Sequence, residues 1–351
     1  MNKNRYILIA TIFLAIIAVI LIVRSSSSTI KADFAVENPE TITKIFMSDK
    51  LNNSTTLKRI DEQKWMVNDK YQARTDGIEI LMETITQIRV KEPVTIAGRN
   101  NVIKWLAGSS VKVEIYQTVY RINLFDKIKW FPHEKLTKVY YVGGETQDNN
   151  GTFMLMEGSD EPFICYIPGF RGFLSPRYTS LETDWRNHSI CDLKIGDIKS
   201  VRLEYPAAPD SSFEITRNGR NFELKVLNKN RIVNEFDTMK VLDYMSSFTN
   251  LNFESFRNNM TKHEIDSITS QIPMAVLSVT DITGKNHTVK GFLKLADKGT
   301  VDEITGNEIF VDRDRFYGLV NDDKDFVFLQ YFTFNQILKP VTYFRMNSQK
   351  K

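Results

Sequence analysis

Four histidines, at positions 133, 188, 263 and 287, limit the acid–base and metal chemistry open to this 351-residue chain. His133-Glu134 and His263-Glu264 each open like H-E-x-x-H, the helical pairing that holds zinc beside a general base, but the second histidine is missing in both. A zinc site would need ligands assembled from distant parts of the chain. His188 near Asp184, or His263 near Asp266, could serve as a base for a remote hydroxyl, which spacing alone does not decide. Asp312-Arg313-Asp314 and Asp322-Asp323-Lys324-Asp325 are acidic but lack the order of a calcium loop, and read as solvated turns. The chain has no phosphate-binding glycine loop, no dinucleotide fingerprint, no nucleophile elbow and no C-x-x-C. No catalytic residue, cofactor or metal is therefore expected.

Contact chemistry is concentrated elsewhere. Six of the sixteen glycines fall within residues 143–172, in the run YYVGGETQDNNGTFMLMEGSDEPFICYIPGFRGFLSPRY. Glycine admits close backbone approach, and aromatic and arginine side chains anchor interfaces. Tyr141, Gly143, Gly144, Phe170, Arg171, Phe173, Arg177 and Tyr178 form the candidate interaction patch; the bland alternative is turn chemistry with aromatics plugging a core. Cys165 and Cys191, the two cysteines, are a candidate disulfide in an oxidising compartment, although no spacing fixes their geometry.

These residues need elements to carry them. Tyr6–Val23 is an uncharged, almost wholly apolar run of a length that spans a bilayer as a helix, and no small-residue cleavage site follows it. It reads as a signal anchor over residues 1–24, followed by a serine-rich stalk over 25–40. The implied placement is single-pass in an inner membrane, with the N-terminus cytoplasmic and the bulk of the chain periplasmic. A net charge of +3 gives no argument for nucleic acid, and 42% hydrophobic with 25% charged residues is a globular composition.

Beyond the stalk a pattern recurs. ITKIFM, TTLKRIDEQKWMVN and RTDGIEILMETITQI are answered by IKSVRLEY, SSFEITRNGRNFELK and EFDTMKVLDYMSSF. Each copy shows apolar alternation, an arginine, an aromatic, and an acid opening a helical run. Helices are expected at Asp76–Ile88, capped by Thr75 or Asp76, at Phe236–Phe248 with Met239, Leu242, Met245 and Phe248 inward, and at Lys262–Ile272. Strands are expected at Val111–Tyr116, Val119–Phe125, Val139–Val142, His287–Leu295 and Glu308–Val311, among others; Phe326–Leu338 is too aromatic to assign. The fold class is α+β: an N-terminal transmembrane helix, then two tandem related modules at 41–194 and 195–345, each a mainly antiparallel β-sheet with an amphipathic helix packed on it.

DFAVENPETITKIFM, the LKR…W.VN meander, YYVGGETQDNNGTFM, IPGFRGFLSPRY with the following DWRN, and SFEITRNG resemble the domain-of-unknown-function family numbered 4340. The resemblance covers nearly everything after residue 33 and implies single-span envelope proteins carrying the domain in tandem. Related domains sit beside auxiliary subunits of ABC-type transporters, and no catalytic residues come with them. The expected function is a non-enzymatic, membrane-tethered interaction module partnered by an envelope protein. Ligand capture between the repeats is the alternative, with an envelope hydrolase of noncanonical site behind it.

Overall fold

The computed structural model describes residues 11–15, 17–18, 33–124, 128–257, 259–302 and 304–346. The span expected over Tyr6–Val23 lies outside these, apart from helical residues at 11–15 and 17–18. Among the described residues no helix is long and apolar enough to cross a membrane. The longest helix given below has 14 residues, about 21 Å, against roughly 30 Å of bilayer hydrocarbon. The transmembrane helix, the signal anchor and the inner-membrane placement are corrected accordingly, and the α+β assignment gives way to a mostly antiparallel β architecture.

The chain divides into two compact units between Asn187 and His188. The first contains β1 (Ile42–Ser48), β2 (Ser54–Arg59), β3 (Trp65–Val67), β4 (Tyr71–Gln72), helix α1 (Thr75–Gln87), β5 (Arg89–Pro93), helix α2 (Ile96–Ser109), β6 (Val111–Leu124), β7 (Ile128–Glu145), β8 (Thr152–Met156) and β9 (Phe163–Tyr166). Its nine strands lie in the order β4-β3-β2-β1-β6-β7-β8-β9-β5, antiparallel throughout.

The second unit contains β10 (Ser189–Cys191), β11 (Ile198–Glu204), β12 (Phe213–Asn218), β13 (Asn221–Val226), β14 (Arg231–Val233), helix α3 (Thr238–Ser246), β15 (Leu251–Asn252), β16 (Ser255–Phe256), helix α4 (Lys262–Thr269), β17 (Ala275–Asp281), β18 (Asn286–Phe292), β19 (Arg315–Val320) and β20 (Asp325–Gln330). Its large sheet runs β14-β13-β12-β11-β17-β18-β19-β20-β16, the path of the first sheet strand for strand.

The connection from β4 to β5 shapes the first unit. These strands are the opposite edges of a nine-stranded sheet, about 38 Å apart if the sheet were flat. Helix α1 and its short flanks reach only about 30 Å. The sheet therefore curls around the helix. Ile78, Leu81 and Ile85 of α1 are buried in one cluster with Ile45, Met47, Leu57, Val67, Val113, Ile115, Tyr140 and Met154 from the strands. Each such side chain contributes about 1.5–3 kcal/mol by leaving water. In the second unit α3 holds the same place, with Val241, Tyr244 and Met245 buried, followed by Phe248.

The recurring arginine and aromatic have a concrete role. Arg59 faces Trp65 across β2–β3, and Arg217 faces Phe222 across β12–β13. Arg59 Nη1 donates to the carbonyls of Glu40 at 2.8 Å, Pro39 at 3.1 Å and Ile42 at 3.3 Å, in the 3₁₀ turn that leads into β1. Arg217 donates to Gly196 at 2.5 Å and Ile198 at 2.9 Å in the matching turn before β11. Both entry strands then shift register at the same point, between Ile42 and Lys44 and between Ile198 and Ser200. A guanidinium thus satisfies the carbonyls that each turn leaves outside the ladder.

Local expectations are adjusted in several places. Helix α1 begins after Arg74 with no side-chain cap, and Asp76 instead pairs with Arg74. Asp237, by contrast, caps α3 by accepting from the Met239 and Lys240 amides. Met239 is exposed and the buried face is centred on Val241 and Tyr244. Helix α4 carries a capping box between Thr261 and Glu264. Helix α2 has no apolar stripe to mark it in the sequence; Leu106 is its single buried side chain. Phe326–Leu338 divides into β20 and a helical turn at Tyr331–Phe334, and Glu308–Val311 forms isolated bridges rather than a strand.

Candidate interaction surfaces

The glycine-rich patch does not form one surface. A Cβ on Gly143 would come within 2.5 Å of Leu106, and one on Gly144 would overlap the Trp105 indole, so this pair exists to let α2 lie against β7. Trp105 also meets Phe153 edge-on at 5.8 Å. Tyr178 is buried, with its ring edge-on to Tyr140 and the two hydroxyls 3.3 Å apart. Arg177 is half-buried; it donates to Thr84 Oγ1 at 3.0 Å and its guanidinium lies 4.2 Å from the Phe170 ring. Tyr141 is half-buried, and its hydrogen bond to Glu157 raises the phenol above its ordinary pKa. Phe173 is half-buried, and Phe170 and Arg171 are exposed.

Cys165 and Cys191 are both free thiols, and each lies in the hydrophobic cluster of a different unit. The candidate disulfide is not formed. Burial pushes both thiols up, Cys191 to about 12, so neither is a nucleophile near neutral pH.

The histidines are occupied structurally or stand in solvent. His188 stacks on Phe253 at 4.7 Å and meets Phe256 edge-on. Asp184 accepts from Thr179 at 2.6 Å. His263 and Asp266 are both exposed. The Nδ1 of His287 is 2.9 Å from the Ile190 carbonyl. Among the described residues no group of three or more His, Cys, Asp or Glu could hold a metal ion.

One element of the first unit has no structural explanation of this kind. Strand β6 pairs with β1 only as far as Gln117, and β7 pairs with β8 only from Tyr140 onward. Beyond these points, among the described residues, the two strands pair with each other alone: Val119 opposite His133, Tyr120 opposite Pro132, Ile122 opposite Trp130, Asn123 opposite Lys129. The result is a two-stranded arm. Ile122 is 39% exposed, Trp130 58%, Phe131 64% and Leu136 41%. Directly opposed residues share a face, so Ile122 and Trp130 stand together, next to Tyr120 and Pro132. Arg121, Lys129 and Lys135 are exposed along the same arm. Glu134, at its base, is held by Thr43 at 2.6 Å and Lys44 at 3.0 Å. The sequence signal was present, since alternation continued past Tyr116 to Phe125 and WFPHEK followed. Alternation does not tell a strand that is buried from one that projects.

The second unit has its own extension, over residues 293–314. It is closed by the bridges Leu295–Val311 and Val301–Glu308, and Leu295, Ile304 and Phe310 are exposed on it. Its tip is organised by Asp302, which accepts from the Thr305 amide at 2.9 Å and the Ile304 amide at 3.1 Å and pairs with Arg313. These donors, the Thr305 amide first, lower the Asp302 carboxyl to about 2. An open cleft of about 570 Å³ lies between Glu308–Arg313 and Tyr331 with Asn335. A cleft of about 610 Å³ in the first unit lies beside Phe34, Val36, Ile88 and Arg89. Comparison with family models, curated proteins and solved structures finds no match to this chain.

Proposed function

We propose that the chain is a non-enzymatic interaction module in which two copies of one curled-sheet scaffold present contact elements, the β6–β7 arm foremost. The observation that carries this is the simultaneous exposure of Ile122, Trp130, Phe131 and Leu136 on a hairpin with no core beneath its outer half. A two-stranded hairpin gains little stability by itself in water, and solvent-facing tryptophan and phenylalanine add nothing to folding. Ile122 and Trp130, directly opposed and both exposed, form the kind of apolar surface that marks a binding site. Buried unreactive thiols and a histidine, His188, stacked on Phe253 support binding over catalysis. The resemblance to family 4340 suggests a partner among the subunits of ABC-type transporter assemblies.

The test is affinity capture with the tagged full chain from its native extract, read by mass spectrometry beside a Trp130→Ser variant. A stoichiometric partner retained by the first and lost by the second is the expected result. Capture that is indifferent to Trp130 would remove the arm from the account.

A further inference from the structure

The division of side chains between the two faces of the arm bears on what it meets, and this step rests on the interaction reading above. Strand alternation and the pairs Tyr120–Pro132 and Ile122–Trp130 put these four residues on one face. Leu136, exposed and opposite Tyr116, extends that face toward the scaffold. Glu134 is the acid on it, and Lys44 at 3.0 Å and Thr43 at 2.6 Å hold it at the base. Arg121, Lys129 and Lys135 belong to the other face, and all three are exposed. The Lys129 ammonium reaches round to 5.7 Å from the centre of the Tyr120 ring, at the border between the faces. Residues 119–135 hold four lysines and arginines against two acids.

Cations behind an apolar face cannot meet the rim of a protein cleft that takes up Ile122 and Trp130. They do act on a charged plane beneath that face. The face-to-face spacing of a sheet layer is about 10 Å, close to the screening length of about 8 Å at physiological salt. Tryptophan and tyrosine settle where one end of the ring is apolar and the other is wet. Lysine and arginine on one face, with tryptophan and aliphatic residues on the other, is the division that holds an amphipathic element in the headgroup layer. The backbone limits how deep the arm can go. Over residues 118–123 of β6 and 129–136 of β7 the outer edges pair with no third strand among the described residues, and unpaired amides and carbonyls do not enter hydrocarbon.

We propose that the β6–β7 arm lies with its Ile122–Trp130 face flat on an anionic lipid surface, its apolar side chains among the headgroups and Arg121, Lys129 and Lys135 attracted from behind. This is adsorption to one leaflet, not a span. A partner captured through Trp130 is then one that shares that surface.

The test attaches the environment-sensitive dye NBD to the full chain at one introduced cysteine, Ile122→Cys on the apolar face or Asn123→Cys on the other. Cys165 and Cys191 are buried, so the label goes to the introduced thiol. Reading the dye rather than the bound protein discounts adsorption through any other part of the chain. On vesicles of phosphatidylglycerol and phosphatidylcholine in equal parts, the dye at 122 is expected to brighten and shift to shorter wavelength, and the dye at 123 to stay as in water. Arg121→Gln, Lys129→Gln and Lys135→Gln together are expected to raise the lipid concentration needed for that response about tenfold, less than three cations in direct headgroup contact would. Circular dichroism of each variant should match the parent, since every altered side chain is exposed. No shift at 122, an equal shift at 123, or an equal response on phosphatidylcholine alone would overturn the anionic surface. So would a shift at 122 produced by native extract cleared of membranes, which would give the face to a protein. If the surface is overturned while Trp130→Ser still abolishes capture, the interaction reading stands; if capture is also indifferent to Trp130, both fall.

Discussion

The two units share a sheet path and differ in where they spend extra chain. In the first, the surplus lies where β6 turns into β7; in the second it lies one connection later, between β18 and β19. Successive antiparallel connections fall at opposite ends of a sheet, so the two extensions leave equivalent scaffolds from opposite ends. The matching connection β17–β18 is a tight turn built on Asp281, which accepts from the Thr283 and Lys285 amides. What recurs in both units is what folding needs: the arginine on the entry turn, the shifted strand beside it, and the helix inside the curl. What differs is exposed and apolar. Function in this molecule is therefore to be sought in the differences.

The comparison can be broken first at the arginines. Arg59→Ala and Arg217→Ala each strand carbonyls that a charged donor now satisfies, and each should cost about 2 kcal/mol. Hydrogen exchange should show the loss confined to the sheet of the altered unit. Equal loosening of both sheets by either variant would mean that the units do not fold as separate scaffolds.

A smaller effect separates the two cores. Tyr140 shares a hydrogen bond with Tyr178, whereas the Tyr244 hydroxyl is buried with no partner among the described residues. Tyr140→Phe should lower stability by about 1 kcal/mol by leaving Tyr178 unpaired. Tyr244→Phe should leave it unchanged or raise it, because an unsatisfied hydroxyl is removed. Thermal melts of the two variants, compared with the parent, check the opposite signs.

The extension of the second unit is tied down by Asp302, an acid-sensitive carboxylate. The Asp302 carboxyl is depressed from 3.8 to about 2 in the folded chain. A depressed acid stabilises its surroundings above its unfolded pKa and loses that contribution as pH falls toward its folded value. Amide protection of residues 300–313 should therefore hold at pH 5 and decline between about 4 and 2, and Asp302→Asn should flatten that decline.

Much of the scaffold could be read from the chain. Arg59, Trp65 and Asp76 recur as Arg217, Phe222 and Asp237 because they occupy matching places in matching sheets. Ile78, Leu81 and Ile85 show their buried face through spacing, since α1 has core on one side and solvent on the other, where Glu79, Glu83 and Gln87 are exposed. The roles within that pattern were less visible. Asp76 and Asp237 look alike as letters, yet one pairs with Arg74 and the other caps a helix, a matter of where the preceding strand delivers the chain. The glycine-rich patch misled for a related reason: Gly143 and Gly144 do admit a close approach, but from Leu106 and Trp105 of the same unit. Helix α2, which makes that approach, carries no periodic signal. The apolar run at the N-terminus suggested a span, and the described helices contain none of sufficient length and apolarity.

The most direct measurement exchanges the arm for the turn found at the equivalent connection. Residues 119–133 would be replaced by the Asp281–Lys285 turn of β17–β18, which leaves Glu134 and its contacts to Thr43 and Lys44 in place. Thermal stability and partner capture would be read on the same protein. An unchanged melting temperature with loss of the captured partner is the predicted result. A scaffold that unfolds without the arm, or that keeps its partner, would contradict the division between shared folding determinants and unit-specific contact elements.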